Sequence, residues 1–258
     1  MRTKKPYIIL IAILVIFFIV MFLVFGVDEL KKDTYNTTII IGDNTVWTYK
    51  NKKWVNDYDF SNLSWKKYDV FVDNQKSGNY YLWYSNKWYA FDDNKSAVLL
   101  DDGNLFAYRA TYDIPVYAFE NTSIDDYSYV YDVLEDNSIP TTSEFTVEHK
   151  IVLDYDNDGK EEEFYVVSNA FPMDFDPASI FSIVFMVKND KVYPIYTDVK
   201  NNTGFNGCKP YIETFADVDN DSKYEFVLSC AKYSTSSVTK MLYDFSDNEF
   251  KILISNNK

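Results

Sequence analysis

Histidine occurs once in 258 residues, cysteine twice, and glycine and proline seven times each. With so little glycine and proline the chain is neither collagenous nor of low complexity. Any Ser-His-Asp or Cys-His centre would depend wholly on His149, which has no G-x-S-x-G context to accompany it. Positive charge is short as well: 25 Lys+Arg stand against 39 Asp+Glu, a net charge of −14. Binding a nucleic-acid backbone requires clustered cations that release counterions, so the composition argues against a nucleic-acid partner. What the chain has in excess is aromatic: 20 Phe, 23 Tyr and 5 Trp within a hydrophobic content of 47%. A disordered polymer would have far less to bury.

The apolar excess is uneven. Residues 7–27 read YIILIAILVIFFIVMFLVFGV, roughly 31 Å as a helix, which matches the hydrocarbon core of a bilayer. A cleaved signal peptide would have a shorter apolar region ending in small residues, whereas this run ends Val24-Phe25-Gly26-Val27 and no Cys follows directly to carry a lipid. Arg2, Lys4 and Lys5 precede it, so the expected topology is a cytoplasmic tail (1–6), a transmembrane helix (7–27) and a juxtamembrane linker (28–36). The rest would then lie outside a plasma membrane crossed once. Residues 34–258 hold 20 Lys+Arg and 36 Asp+Glu, so the outer part is strongly acidic.

Short stretches of β-branched and aromatic residues fill this outer part: Thr38–Ile41, Tyr68–Val72, Tyr80–Tyr84, Ala97–Leu100, Ile151–Leu153, Phe164–Val167, Ile180–Val187, Phe226–Leu228 and Phe250–Ile254. They predict a mainly β fold, an antiparallel repeat domain that is propeller-like or an open assembly. Asn, at 22 residues, is expected at left-handed turn positions where Gly is missing. The spacing predicts one helix over Ser123–Glu135 behind a Ser cap. The polar stretch 136–143, with Pro140, divides an aromatic hairpin region (37–145) from a second region (146–258).

In the first region, Trp47–Trp54 and Trp83–Trp88 read as aromatic hairpins with Asn-Lys turns. Cross-strand ring pairs can simply scaffold such hairpins. Alternatively they form a stacking platform for sugars, and Trp83–Phe91 loosely resembles the aromatic cell-wall-binding repeats of bacterial surface proteins, without their recurrent Gly.

The second region repeats with an offset of 63 residues: Asp154, Asp156, Asp158, Gly159, Lys160 and Glu162 align with Asp217, Asp219, Asp221, Ser222, Lys223 and Glu225. A following hairpin, Phe185–Tyr196, matches Met241–Leu253. Each unit is thus about four strands with an acidic loop between its first two. Alternating carboxylates aim at one centre, and a hard divalent cation wants six to eight such oxygens. Gly159 suits the sharp turn at position 6, whereas Ser222 makes the second loop costlier to form. An EF-hand would need an acid at position 12, where Tyr165 and Leu228 stand.

The pattern is instead similar to the short D-x-D-x-D-G-x-x-D/E calcium loops of FG-GAP and VCBS-type repeats, found in integrin-like β-propellers and bacterial surface proteins. Over residues 146–258 the resemblance implies Ca2+ bound by Asp154, Asp156, Asp158, the Lys160 carbonyl and Glu162, and again by Asp217, Asp219, Asp221, the Lys223 carbonyl and Glu225.

Cys208 and Cys230 flank the second loop, and outside the cytosol a disulfide contributing about 3 kcal/mol is the default expectation. A hairpin centred near Asp221 would place Cys230 opposite a residue near Ile212, so Cys208 must curl back. No residue set points to catalysis. Ser64–Lys67 and Ser237–Lys240 fit S-x-x-K without companion motifs, and the loop Phe171–Pro177 is a candidate binding loop. The function expected is a membrane-anchored, calcium-binding, non-enzymatic binding or adhesion module for surface protein or polysaccharide. The alternative is a membrane-anchored carbohydrate-active or envelope-processing enzyme, with Trp47, Trp83 and Trp88 lining a groove around two carboxylates.

Overall fold

The computed structural model describes residues 37–100, 103–120, 122–123, 127–143, 145–169, 180–200, 208–232 and 237–256. Among them no helix is long and apolar enough to cross a membrane. The run at 7–27 from which a transmembrane helix is expected lies outside the described residues, as does Phe171–Pro177.

Three open antiparallel sheets account for the fold. The first contains β1 (Thr38–Ile41), β2 (Thr45–Lys50), β3 (Lys53–Asn56), β4 (Lys66–Val72), β5 (Gln75–Tyr84), β6 (Trp88–Phe91), β7 (Ala97–Val98) and β8 (Leu105–Arg109), with a short helix α1 (Phe60–Leu63) between β3 and β4. Its strand order is β3-β2-β1-β8-β4-β5-β6-β7. After β9 (Val116–Tyr117) and α2 (Ser128–Asp136), the second sheet runs in sequence order through β10 (Thr146–Leu153), β11 (Glu162–Ser168), β12 (Ile180–Lys188) and β13 (Lys191–Lys200). The third holds β14 (Cys208–Ala216), β15 (Glu225–Lys232), β16 (Val238–Ser246) and β17 (Glu249–Ser255), with β9 added beside β14. The two repeat units are therefore four-stranded meanders. They remain open and no sheet closes into a propeller, which corrects the propeller-like expectation.

Alternation along the strands explains the stacking, because successive side chains in a strand point to opposite faces. On the third sheet Phe215, Phe226, Leu228 and Tyr243 pack against Phe164, Val166, Val184 and Met186 of the second. Their neighbours Ala216, Val227 and Leu242 pack the other way, against Ile39, Ile41, Trp47 and Phe106 of the first sheet. The third sheet is thus the middle layer, with residues of β14, β15 and β16 packed on both of its faces, as in the run Phe226-Val227-Leu228. The outer face of the second sheet is covered by α2 through Val130, Val133 and Leu134. That helix starts at Ser128 with Tyr127 at its N-cap and no side-chain cap bond, so Ser123 is not the cap expected from sequence.

Hairpin turns show why so few glycines suffice. Asn51-Lys52, Asp73-Asn74, Asn189-Asp190 and Asp247-Asn248 all have positive φ at both residues and join β2-β3, β4-β5, β12-β13 and β16-β17. Two left-handed central residues match the twist of the flanking strands and pin the register.

Cys208 and Cys230 are joined as a disulfide with Cα atoms 5.3 Å apart. Cys230 lies opposite Pro210 rather than the expected Ile212: the register next to the loop would place it at Tyr211, and a shift between Ile212 and Thr214 moves it one residue further, leaving Cys208 two residues beyond Pro210 on β14. The bulge supplies one residue of the displacement and the register at the loop supplies the other.

Candidate metal centres

The two acidic loops follow β10 and β14 at corresponding places, and their backbones are tied in the same way. Asp154 accepts the amides of Asp158 and Gly159 at 3.0 Å each, and Asp217 accepts those of Asp221 at 3.1 Å and Ser222 at 3.0 Å. Glu162, the first residue of β11, accepts the Tyr155 amide at 2.8 Å; Glu225, the first of β15, accepts the Val218 amide at 2.8 Å. These bonds tie position 1 of each loop to positions 5 and 6, and position 9 to position 2. Asp154, Asp156 and Glu162 each offer an oxygen within 4.8 Å of the others, as do Asp217, Asp219 and Glu225. Oxygens that share one Ca2+ at about 2.4 Å lie no more than about 4.8 Å apart, so both triads have the spacing and the hard-oxygen chemistry of a divalent-cation site.

The remaining loop residues sit elsewhere. Asp158 and Asp221 are outside the triads and accept the amides of Lys160 and Lys223 at 2.9 Å each. Position 6 is left-handed in both loops, with φ of 86° at Gly159 and 74° at Ser222. Glycine takes that conformation without steric cost and serine does not. The loops also touch: Asn157 Nδ2 donates to the Ser222 carbonyl at 2.5 Å, and the Tyr224 amide donates to the Tyr155 carbonyl at 3.1 Å.

Their electrostatics differ sharply. Lys188, the last residue of β12, reaches into the first loop, where its Nζ donates to Asp156 (2.9 and 2.8 Å), Asp158 (3.1 Å) and Glu162 (2.7 Å). Burial pulls the ammonium pKa down, but the bonds to Asp156, Glu162 and Asp158 outweigh it and leave Lys188 above its ordinary value. The same lysine holds Asp158 below the usual carboxylate range. Glu162 is raised by burial, with the Lys188 bond opposing.

Among the described residues, no lysine or arginine pairs with Asp217, Asp219, Asp221 or Glu225. Burial, then the charge of Asp219, pushes Glu225 well above the carboxylate range, and burial raises Asp217. Asp219 is pushed up to about 6 by desolvation and by Asp221 and Asp217, although the residue as a whole is exposed, so solvent screens its charge more than that of Glu225. The hydroxyl of Tyr155, a fully buried ring, has no hydrogen-bond partner among the described residues. Burial first, then Glu225 and Asp244, raises its pKa far above the phenol value.

No protein-family model matches this chain, and neither a curated protein nor a solved structure does. The FG-GAP and VCBS resemblance is thereby overturned: the acidic loops are present, but no family model supports the assignment and the sheets are open. The transmembrane helix expected separately, from the apolar run at 7–27, likewise finds no counterpart among the described residues.

Residues singled out for other chemistry are engaged structurally. Trp47 is fully buried and Trp88 nearly so, whereas Trp83 is exposed, so these three do not line one groove. The Ser64 hydroxyl donates to the Phe60 carbonyl and accepts the Tyr84 amide, while Lys67 pairs with Asp93 at 2.6 Å. Lys240 pairs with the buried Glu213. Burial holds His149 below the ordinary imidazole value.

Sequence reasoning missed Lys188, Asp244 and Tyr155. Aligning Phe185 with Met241 already places Lys188 opposite Asp244, and that charge reversal beside conserved loop carboxylates within one chain was the available signal.

Proposed function

We propose that the outer region is a non-enzymatic binding module, held outside the cytoplasm, whose acidic loops take up Ca2+ as a structural ion. The observation that carries the reading is the second loop, where Glu225 is 2% exposed, Asp217 is 5% exposed and no lysine or arginine among the described residues pairs with either. Buried carboxylates left in this state repel one another and cost several kcal/mol unless paired or metal-bound. Ca2+ is favoured because every donor is an oxygen and neither triad contains a His or Cys. The disulfide supports an oxidising compartment, and the charges flanking residues 7–27 support an external location.

The test is a pair of melting curves, one in EDTA and one in millimolar Ca2+. At ten- to a hundred-fold excess over the dissociation constant, calcium should add about 1–3 kcal/mol to stability, roughly 2–4 °C in Tm per kcal/mol for a domain of this size. Superimposable curves would remove the reading.

A cluster of exposed rings favours polysaccharide as the ligand class. Trp83 on β5 and Tyr89 and Phe91 on β6 project from the face opposite Leu82 and Ala90, and Trp65 stacks beside them with centroids 6.3 Å from Trp83 and 4.9 Å from Phe91. Trp65 is 49% and Trp83 36% exposed. Aromatic faces left in water in this way suit stacking on sugar rings. The domain should be retained on insoluble polysaccharide such as chitin or peptidoglycan, and the double variant Trp65→Ala, Trp83→Ala should elute freely; equal retention of both proteins would assign the rings to another partner.

A further inference from the structure

One register position distinguishes the two loops. Glu163 pairs with Val187, so the next residues out, Glu162 and Lys188, face each other across β11 and β12. Phe226 pairs with Tyr243, so the corresponding residues across β15 and β16 are Glu225 and Asp244. The closing glutamate of the first loop therefore faces a lysine, and that of the second faces another acid. We infer that Lys188 is a built-in counter-ion, its ammonium occupying the cation position of the first loop, and that the second loop alone takes up Ca2+, with Asp244 in reach of the ion. This rests on the reading of the loops as cation sites and specifies which loop is filled.

Four considerations support it. The Lys188 side chain is 14% exposed and its Nζ lies within 3.1 Å of oxygens on Asp156, Asp158 and Glu162. A cation of the chain's own making is thus already seated among the first loop's donors, and a divalent ion would have to expel it. Second, no lysine or arginine among the described residues pairs with Asp244 or with the acids of the second loop. Third, the buried Tyr155 hydroxyl lacks a partner among the described residues, and its ring lies 6.4 Å from Phe226 and 6.5 Å from Phe245, the residues next to Glu225 and Asp244. Fourth, the strained turn belongs to the second loop, at Ser222. Ion binding offsets a backbone cost there, while the first loop, with Gly159 at the same position and its own ammonium, has less to offset.

Titration of the purified outer region with Ca2+ by calorimetry tests this, with Tb3+ luminescence excited through the surrounding tyrosines as a second readout. The wild type should bind one ion. Asp219→Asn should abolish binding and Asp156→Asn should leave it within about two-fold. Asp244→Lys, which places the ammonium of the first loop into the second, should also abolish binding, and Lys188→Asp should raise the stoichiometry to two. Two ions in the wild type, or one ion lost with Asp156→Asn and retained with Asp219→Asn, would overturn the inference. If Lys188→Asp does not fold, the Asp156 and Asp219 variants still decide which loop is filled. No binding by the wild type together with one site in Lys188→Asp would retain Lys188 as counter-ion and overturn Ca2+ uptake by the second loop; no binding by either would overturn the cation reading itself.

Discussion

Replacing Lys188 with methionine should lower the stability of the calcium-free domain by about 3–5 kcal/mol, the range observed when one partner of a buried ion pair is removed and the other is left uncompensated. Methionine keeps most of the aliphatic stem, so lost packing contributes little. The cost comes from Glu162, 1% exposed, and Asp156, 20% exposed at the side chain. Asp158, at 39%, is screened by solvent and adds little. Urea denaturation with an unchanged m-value is the measurement. Millimolar Ca2+ should restore much of the loss in the variant, because the vacated loop then has a divalent ion as its only counter-charge. A loss below about 1 kcal/mol would show that the first loop is solvated and that Lys188 neutralises nothing of consequence.

Phe226→Ala should cost a similar amount, about 3–5 kcal/mol, for an unrelated reason. Phe226 sits at the centre of the core between the second and third sheets, stacked on Tyr243 at 5.2 Å with edge contacts to Phe164 at 5.7 Å and Phe250 at 5.6 Å. Truncation removes the ring's transfer energy and leaves a cavity walled by rigid aromatic rings on β11, β16 and β17, which cannot easily collapse. Phe226→Leu should lose noticeably less, since it refills part of the volume. Equal losses for the two substitutions, measured by chemical denaturation, would mean that the site relaxes around either side chain and that the core is looser than its burial implies.

Much of the β architecture was legible because both faces of many strands are buried. Thr38–Ile41 and Ile180–Val187 stand out as runs almost wholly of β-branched, aliphatic and aromatic residues, and the 63-residue offset located two meanders whose acidic loops lie at the same place in each. The Asn-bearing turns were legible too, since few other residues tolerate the left-handed conformation. The layering was not. Val116–Tyr117 is two residues long, too short for any periodicity, yet it extends the middle sheet. Nothing local distinguishes Phe226, facing one sheet, from Val227, facing another. The bulge between Ile212 and Thr214 has no sequence mark either, so the route from Cys208 to Cys230 could be stated only as a requirement.

At the site, local reasoning favoured the first loop because Gly159 fits its turn and Ser222 does not. Lys188 reverses that ranking, and its partners lie 26 to 32 residues upstream. A lysine at a strand end next to Asn-Asp reads as a solvated charge until the pairing register is known.

Because the middle layer, apart from Val116–Tyr117, is made from residues 208–255, the chain emerges from the ribosome with its keystone after both outer layers. When residue 200 has been synthesised, the first and second sheets can already pair their strands, but the faces bearing Ile39, Trp47 and Phe106 on one and Phe164, Val184 and Met186 on the other have nothing to lie against. Two broad apolar surfaces are then presented together, a condition that invites mispairing and aggregation. Vectorial synthesis therefore cannot complete this fold sheet by sheet; final consolidation waits for residues 208–255.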